Sequence, residues 1–249
     1  MKVLNNFIIL GLAGMCASAF ANHAEDNWPE PIKEYRTGQV LFDRLEVIRT
    51  NNDDDQLVWD MLAWYGGDEN RIYFKSEGES TWDDGEPVYL ESTELLASHL
   101  ISPFWELQGG VGTRGTVGSD ANRENYLVFS LFGLAPYQFE MDNSITINED
   151  GDISMSLEAE YDVRLSQVSY IQPRIEMAAS LSDAEEYKRP KGLNNIRLGL
   201  RYRYELSREF APYIGVYWSR ALGDMAEQIK AEGKNVSETG IMIGVRLWF

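Results

Sequence analysis

The sequence predicts an all-β protein, an up-and-down antiparallel transmembrane β-barrel of about twelve strands behind a short irregular periplasmic segment. Three observations predict this fold: an alternating C-terminal strand, a series of strand-length segments, and connections of alternating length. In residues 241–249 every odd position is apolar, and the last residue is Phe249. One face of such a strand suits lipid and the other suits a wet lumen, as in an outer-membrane barrel.

The composition argues against two other classes of protein. Beyond the N-terminal region, no segment holds the roughly eighteen consecutive apolar residues that a membrane helix needs. The formal net charge is −18. A charge of this sign repels nucleic acid, which is therefore not expected as a partner, and it attracts cations.

The N-terminus has the pattern of a secretory signal peptide, predicted over residues 1–21. Lys2 supplies the positive charge, residues 7–19 form the apolar stretch, and Ala-Phe-Ala at 19–21 is a cleavage signal. The one cysteine, Cys16, lies inside this segment, so the mature chain has no disulfide and no thiolate metal site. Residues 22–37 are polar and contain Pro29 and Pro31, which predicts an irregular periplasmic segment before a barrel over 38–249.

The barrel region divides into about twelve strand-like segments, each long enough to cross a bilayer at a tilt. They are 40–49, 56–65, 71–79, 88–99, 104–112, 125–133, 137–148, 153–165, 169–181, 196–206, 210–221 and 236–249. Prolines at 103, 136, 173 and 212 are predicted at or near strand starts, where a missing N–H interrupts little of the hydrogen-bond ladder.

The connections alternate in length along the chain. Those predicted outside are mostly long and acidic, at 51–55, 80–87, 115–123, 148–152, 182–192 and 222–235, while most of the others are short. Long outer loops and short periplasmic turns are typical of outer-membrane barrels. The acidic loops are either ordinary solvated loops or a surface that attracts metal ions and the divalent cations that bridge lipopolysaccharide.

Alternation also predicts a charged lumen. In 153–165 and 196–206 apolar residues occupy one face and charged residues the other, and charge is costly on the lipid side. The acids predicted inside are Asp60, Glu77, Glu79, Glu106, Glu140, Asp142, Glu158, Glu160, Asp162 and Glu176, and the bases are Arg174, Arg197, Arg201, Arg203 and Arg246. Two interpretations remain open: the charges pair across strands and fill the interior, or they form a cation path or a set of oxygen ligands.

The sequence favours a protein that is not an enzyme. Its two histidines are His23, in the N-terminal segment, and His99, near a short inner turn. A serine hydrolase of the membrane needs a histidine paired with a serine near the outer rim, and His99 is predicted at the opposite end.

Several blocks resemble the copper resistance protein B family of outer-membrane proteins. They include WYGGDENRIYFKSEGE (64–79), SPFWELQGGV (102–111), DGDISMSLEAEYDVRLSQ (150–167) and LGLRYRYELSREFAPYIGVYW (198–218). The resemblance implies copper as the ion handled, at the outer membrane of a Gram-negative cell, with membrane lipid, lipopolysaccharide and a periplasmic copper-binding protein as partners.

The resemblance also guides the choice of candidate copper ligands. Members of that family commonly carry an N-terminal extension rich in Met and His, whereas this chain has only His23 there. The candidate ligands are therefore the lumen carboxylates and the few soft or imidazole side chains: Glu158, Glu160, Asp162, His99, Met242 and His23. The alternative function is a structural barrel, or a narrow cation-favouring pore, without metal specificity.

Overall fold

The computed structural model describes residues 35–51, 55–81, 88–117 and 123–249. These residues form one closed antiparallel sheet of thirteen β-strands. Along this sheet the chain passes from one end of the barrel to the other twelve times. The strands are β1 (Thr37–Thr50), β2 (Asp55–Gly66), β3 (Asn70–Thr81), β4 (Tyr89–Ser102), β5 (Trp105–Thr116), β6 (Arg123–Ala135), β7 (Phe139–Asn148), β8 (Ile153–Glu160), β9 (Val163–Arg164), β10 (Ser169–Ser180), β11 (Gly192–Tyr204), β12 (Phe210–Ala221) and β13 (Ser237–Trp248). The predicted up-and-down barrel is confirmed.

The barrel closes where the first strand meets the last. β13 pairs antiparallel with both β12 and β1. At the end of this seam Val40 and Phe249 exchange two backbone hydrogen bonds, of 3.0 and 2.9 Å. The alternating C-terminal segment is therefore a barrel strand, as its pattern predicts.

The predicted strand 153–165 is divided into β8 and β9. Both pair with β10, and the interruption at residues 161–162 lies beside Pro173. Proline has no N–H to donate to the ladder, and Pro173 is the fifth residue of β10, near the strand start as predicted. Tyr161 still donates its backbone N–H to the carbonyl of Pro173, at 3.1 Å, so the two short strands continue one crossing.

The two faces of the wall differ as the alternation predicts. In β13, Ile241 is 58% exposed and Ile243 63% exposed on the outer surface, while Met242 between them is 1% exposed inside. Arginine and glutamate side chains share the interior with Met242. An apolar exterior around a charged interior is the arrangement of a barrel in lipid.

One irregularity in β1 changes which side chains face inward. The pairing register of β1 with β2 shifts between Phe42 and Arg44. Such a bulge places an extra residue on one strand, so that consecutive residues Asp43 and Arg44 both make ion pairs in the lumen.

The end of the barrel opposite the start of β1 and the end of β13 carries the longer connections. The last of them, predicted as a loop, contains helix α1 (Gly223–Ala231). No helix in the described part of the chain is long and apolar enough to span a membrane. The predicted signal peptide, Cys16, His23 and the tips of three acidic connections lie outside the described residues.

Candidate functional site in the barrel lumen

A cluster of charged side chains is buried in the lumen, and Arg44 is one of its two central arginines. Its side chain is 3% exposed and contacts three carboxylates. The guanidinium nitrogens lie 3.1 Å from Asp60, 3.3 Å from Glu77 and 3.1 Å from Glu176. The partners belong to β2, β3 and β10, so one arginine ties together strands on different sides of the lumen.

Arg174 is the second central arginine of the same cluster and is equally buried. It lies 2.5 Å from Glu158 and 2.7 Å from Glu176. Longer contacts, between 3.4 and 3.6 Å, join it to Asp43, Asp60 and Glu160. Asp60 and Glu176 therefore bridge the two guanidinium groups.

The cluster holds more carboxylates than guanidinium groups. Arg44 and Arg174 together contact six carboxylates. Among the described residues, only two further arginines contact any of these six: Arg197 contacts Glu176, and Arg246 contacts Asp43. Like charges also lie directly opposite each other on neighbouring strands, where Asp142 faces Glu158. Such pairs are destabilising unless a cation is shared. The lumen is therefore an acidic environment that attracts positive charge.

Little empty space remains beside the cluster. The internal cavity next to it measures about 20 Å³, roughly the room that one water molecule needs. It is lined by Arg44, Glu46, Ile48, Arg174, Glu176, Arg197, Gly199, Arg201, Tyr217 and Met242. The side chains of these residues leave room at this point for about one water molecule.

Tyrosine side chains pack over glycines on the inner wall. Tyr213 pairs across the strands with Gly244, where an added Cβ would lie 2.6 Å from the phenol ring. The tyrosine hydroxyl donates a 2.8 Å hydrogen bond to Glu46. The same arrangement joins Tyr126 with Gly112 and Glu94, and Tyr217 with Gly240 and Glu238.

The structure distributes the predicted metal ligands that it describes over four places. Glu158 and Glu160 belong to the central cluster through Arg174, while Asp162 pairs with Arg203 at another point of the lumen. Met242 packs in an apolar group with Ile48, Val58 and Tyr217. Among the described residues, no three His, Cys, Asp or Glu side chains converge in a metal-ligand arrangement.

His99 lies on the outer surface, away from these groups. Its Nδ1 atom is 2.9 Å from the Oδ1 atom of Asn70, and the pair is exposed. The cross-strand neighbours of His99 are Asn70 and Leu107. Neither neighbour is a nucleophile.

The sequence interpretation overlooked several lumen residues. Asp43 and Arg44 were missed because strict alternation allows only one of two consecutive residues to face inward, and the bulge lets both do so. Lys75 was also missed, although it follows the alternation of β3 and lies 2.5 Å from Asp142. Assigning each residue of β3 to the lumen or the lipid side by alternation would have identified Lys75 as a lumen residue.

Comparison with known proteins identifies the family. Residues 36–249 match the family described as Copper resistance protein B precursor. The chain is 37% identical over 210 residues to Copper resistance protein B of Escherichia coli, covering 84% of this chain and 69% of that protein. It is 31% identical over 209 residues to the Copper resistance protein B homolog of Pseudomonas syringae pv. tomato, with the same coverage. The chain belongs to the copper resistance protein B family.

Solved structures support the fold of this family member. The barrel is similar to the NanC porin, with 10% identity and a TM-score of 0.51, over 85% of this chain and 99% of that one. It is also similar to outer membrane phospholipase A from Escherichia coli, with 12% identity and a TM-score of 0.50, over 86% and 93% of the two chains. At these identities the likeness concerns the fold alone, which is that of an outer-membrane-type β-barrel.

Proposed function

We propose that this protein acts in bacterial copper resistance at the outer membrane, either binding copper or assisting its passage. The observation that carries the proposal is membership of the copper resistance protein B family over nearly the whole barrel. A secretory signal in residues 1–21 would deliver the chain there. Lipopolysaccharide around the barrel and a periplasmic copper-binding protein beneath it are the proposed partners.

The charge of the lumen supports a role with cations. Six carboxylates in contact with four guanidinium groups favour entry of positive charge and oppose anions. Carboxylate oxygens also accept Cu(II), whereas Cu(I) prefers thioether and thiolate ligands. Met242 packs in an apolar group and four arginines line the cavity beside it, so the carboxylates are the better candidates for a passing ion.

Arg174 occupies the position that a copper ion would need in order to reach Glu158 and Glu160. Its guanidinium contacts both carboxylates. A copper ion bound by them must therefore displace Arg174 or arrive when Arg174 has moved. Binding in the lumen is then a competition between a metal ion and a built-in cation.

A second candidate function is a structural barrel, or a narrow cation-favouring pore, that does not select copper. The ion pairs between strands favour it, because paired charges that hold strands together require no ligand. In both cases the protein is proposed not to be an enzyme. A hydrolase would lose activity on His99→Ala, and the neighbours of His99 offer no nucleophile.

Calorimetry on the purified, refolded barrel tests the binding form of the proposal. Cu(II), Zn(II) and Mg(II) are titrated separately, and Cu(I) is titrated under reducing conditions. Saturable copper binding that exceeds zinc and magnesium binding supports a copper site, and Glu158→Gln should weaken it. If copper does not bind, the passage form is tested by ion selectivity in planar bilayers. Conductance that does not distinguish copper from other cations would support the second candidate.

A further inference from the structure

The connection between β10 and β11, residues 181–191, folds back on itself and is called the lid below. Ala184 and Arg189 exchange backbone hydrogen bonds of 2.9 and 3.1 Å, which close a short loop around a 3₁₀ turn. Lys188 has a φ of 52°, in the left-handed region that tight turns use. Asp183 accepts a 2.7 Å hydrogen bond from the backbone N–H of Lys191. These bonds give the lid a defined shape.

Arg189 joins the lid to strands beyond its own. Its guanidinium lies 3.0 Å from the hydroxyl of Ser154 in β8 and 2.5 Å from Glu124 in β6. In the order of the sheet, β7 and β8 stand between β6 and β10. A side chain from the β10–β11 connection that contacts β6 therefore reaches past the two strands that lie between them.

Glu124 is held from two sides. Arg114 makes a two-point contact with it, of 2.6 and 3.1 Å, while Arg189 binds from the lid. The Glu124 side chain is only 3% exposed. Burial lowers the pKa of the Arg189 guanidinium and the nearby Arg114 lowers it further, but arginine keeps its charge in proteins. Charge-assisted bonds at a buried carboxylate are among the strong ones.

A second contact of the lid provides a comparison. Lys188 lies 3.6 Å from Glu232, just after helix α1, and both side chains are well exposed. Exposed ion pairs contribute little. The attachment of the lid to the barrel therefore depends on Arg189 far more than on its neighbour Lys188.

We propose that the lid closes the outer mouth of the barrel and that the Arg189–Glu124 ion pair is the latch that keeps it closed. The charge cluster around Arg44 and Arg174 is a separate group of ion pairs in the lumen. Opening the mouth requires Arg189 to leave Glu124, which stays paired with Arg114. This inference concerns access from outside and does not depend on which ion is handled.

A single cysteine introduced below the lid tests the latch. Thr146 is buried and lies directly opposite Ser154, the residue that Arg189 contacts. Thr146→Cys is made with Cys16→Ser, which removes the one other cysteine. The refolded protein is labelled with a charged methanethiosulfonate reagent, with and without Arg189→Ala. Lys188→Ala is the matched control in the same turn, and heat-modifiable gel mobility verifies folding.

The latch predicts slow labelling of the introduced thiol in the parent and in Lys188→Ala. Arg189→Ala should increase the rate by about tenfold or more, because labelling follows the population of the open state. Glu124→Gln weakens the same contact from the wall and should also increase the rate, so a folding defect in one variant leaves the other to decide. Equal labelling rates in the parent and both latch variants would overturn the proposal.

Discussion

Replacing Arg174 with methionine tests whether the central charge cluster holds the barrel together. The Arg174 side chain is 3% exposed and contacts five carboxylates. Methionine keeps much of the volume and removes the charge, leaving the carboxylates with fewer positive partners. Removing one partner of a buried ion pair destabilises a protein by about 3–5 kcal/mol. We expect a loss in this range in the free energy of unfolding.

The measurement is urea unfolding of the refolded protein in detergent micelles, followed by tryptophan fluorescence. Arg49→Met is the matched control, because Arg49 is 72% exposed and pairs with Asp55 on the outside. Exposed pairs contribute under about 1 kcal/mol. A loss no larger than that of Arg49→Met at about pH 7 would refute the reasoning.

Two further predictions concern the packing and connectivity of the lumen. Gly244→Ala places a Cβ 2.6 Å from the ring of Tyr213 and should destabilise the barrel by about 1–3 kcal/mol. Gly199→Ala is the control, because a Cβ at Gly199 has no contact closer than 3.9 Å. Equal stability of the two variants would contradict the close packing of Tyr213 on Gly244. The losses of unfolding free energy caused by Arg44→Met and Arg174→Met should be non-additive by at least about 0.5 kcal/mol in a double-mutant cycle, because the two arginines share two carboxylates. Additive losses would mean that the arginines act independently.

The alternation of side chains made most of the barrel predictable. Each predicted strand contains the greater part of an observed one, and the facing of residues 241–249 is as expected. A strand shows its two environments in its own residues, so local pattern is enough to assign lipid and lumen faces. Predicted lumen charges such as Asp60, Glu158 and Arg174 are indeed inside and paired, which is the first of the two interpretations that the sequence left open.

Departures from regular pairing were not predictable from alternation. The bulge in β1 puts Asp43 and Arg44 in the lumen together, and Pro173 divides one predicted strand into two. Both depend on where a neighbouring strand can or cannot form its hydrogen bonds. That information lies in the partner strand and not in the segment itself.

Contacts across the barrel could not be predicted from local sequence patterns either. Arg44 and Glu176 are separated by 132 positions in the chain, and Arg201 and Glu46 by 155. The lid contact between Arg189 and Glu124 likewise depends on barrel closure and on the turn at Lys188. For the candidate site, the sequence therefore predicted several members, such as Glu158 and Arg174, but neither Arg44 nor the ion pairs between them. It also did not show that His99 lies on the outer surface.

Copper tolerance of cells that lack the gene tests the central claim most directly. The deletion strain, the same strain carrying the gene on a plasmid, and the parent are grown over a range of copper concentrations, with detergent and antibiotics as parallel challenges. A copper-resistance role predicts that the deletion lowers tolerance to copper alone and that the plasmid restores it. Unchanged copper tolerance, or sensitivity to detergent and antibiotics as large as that to copper, would contradict the account and leave a structural barrel in its place.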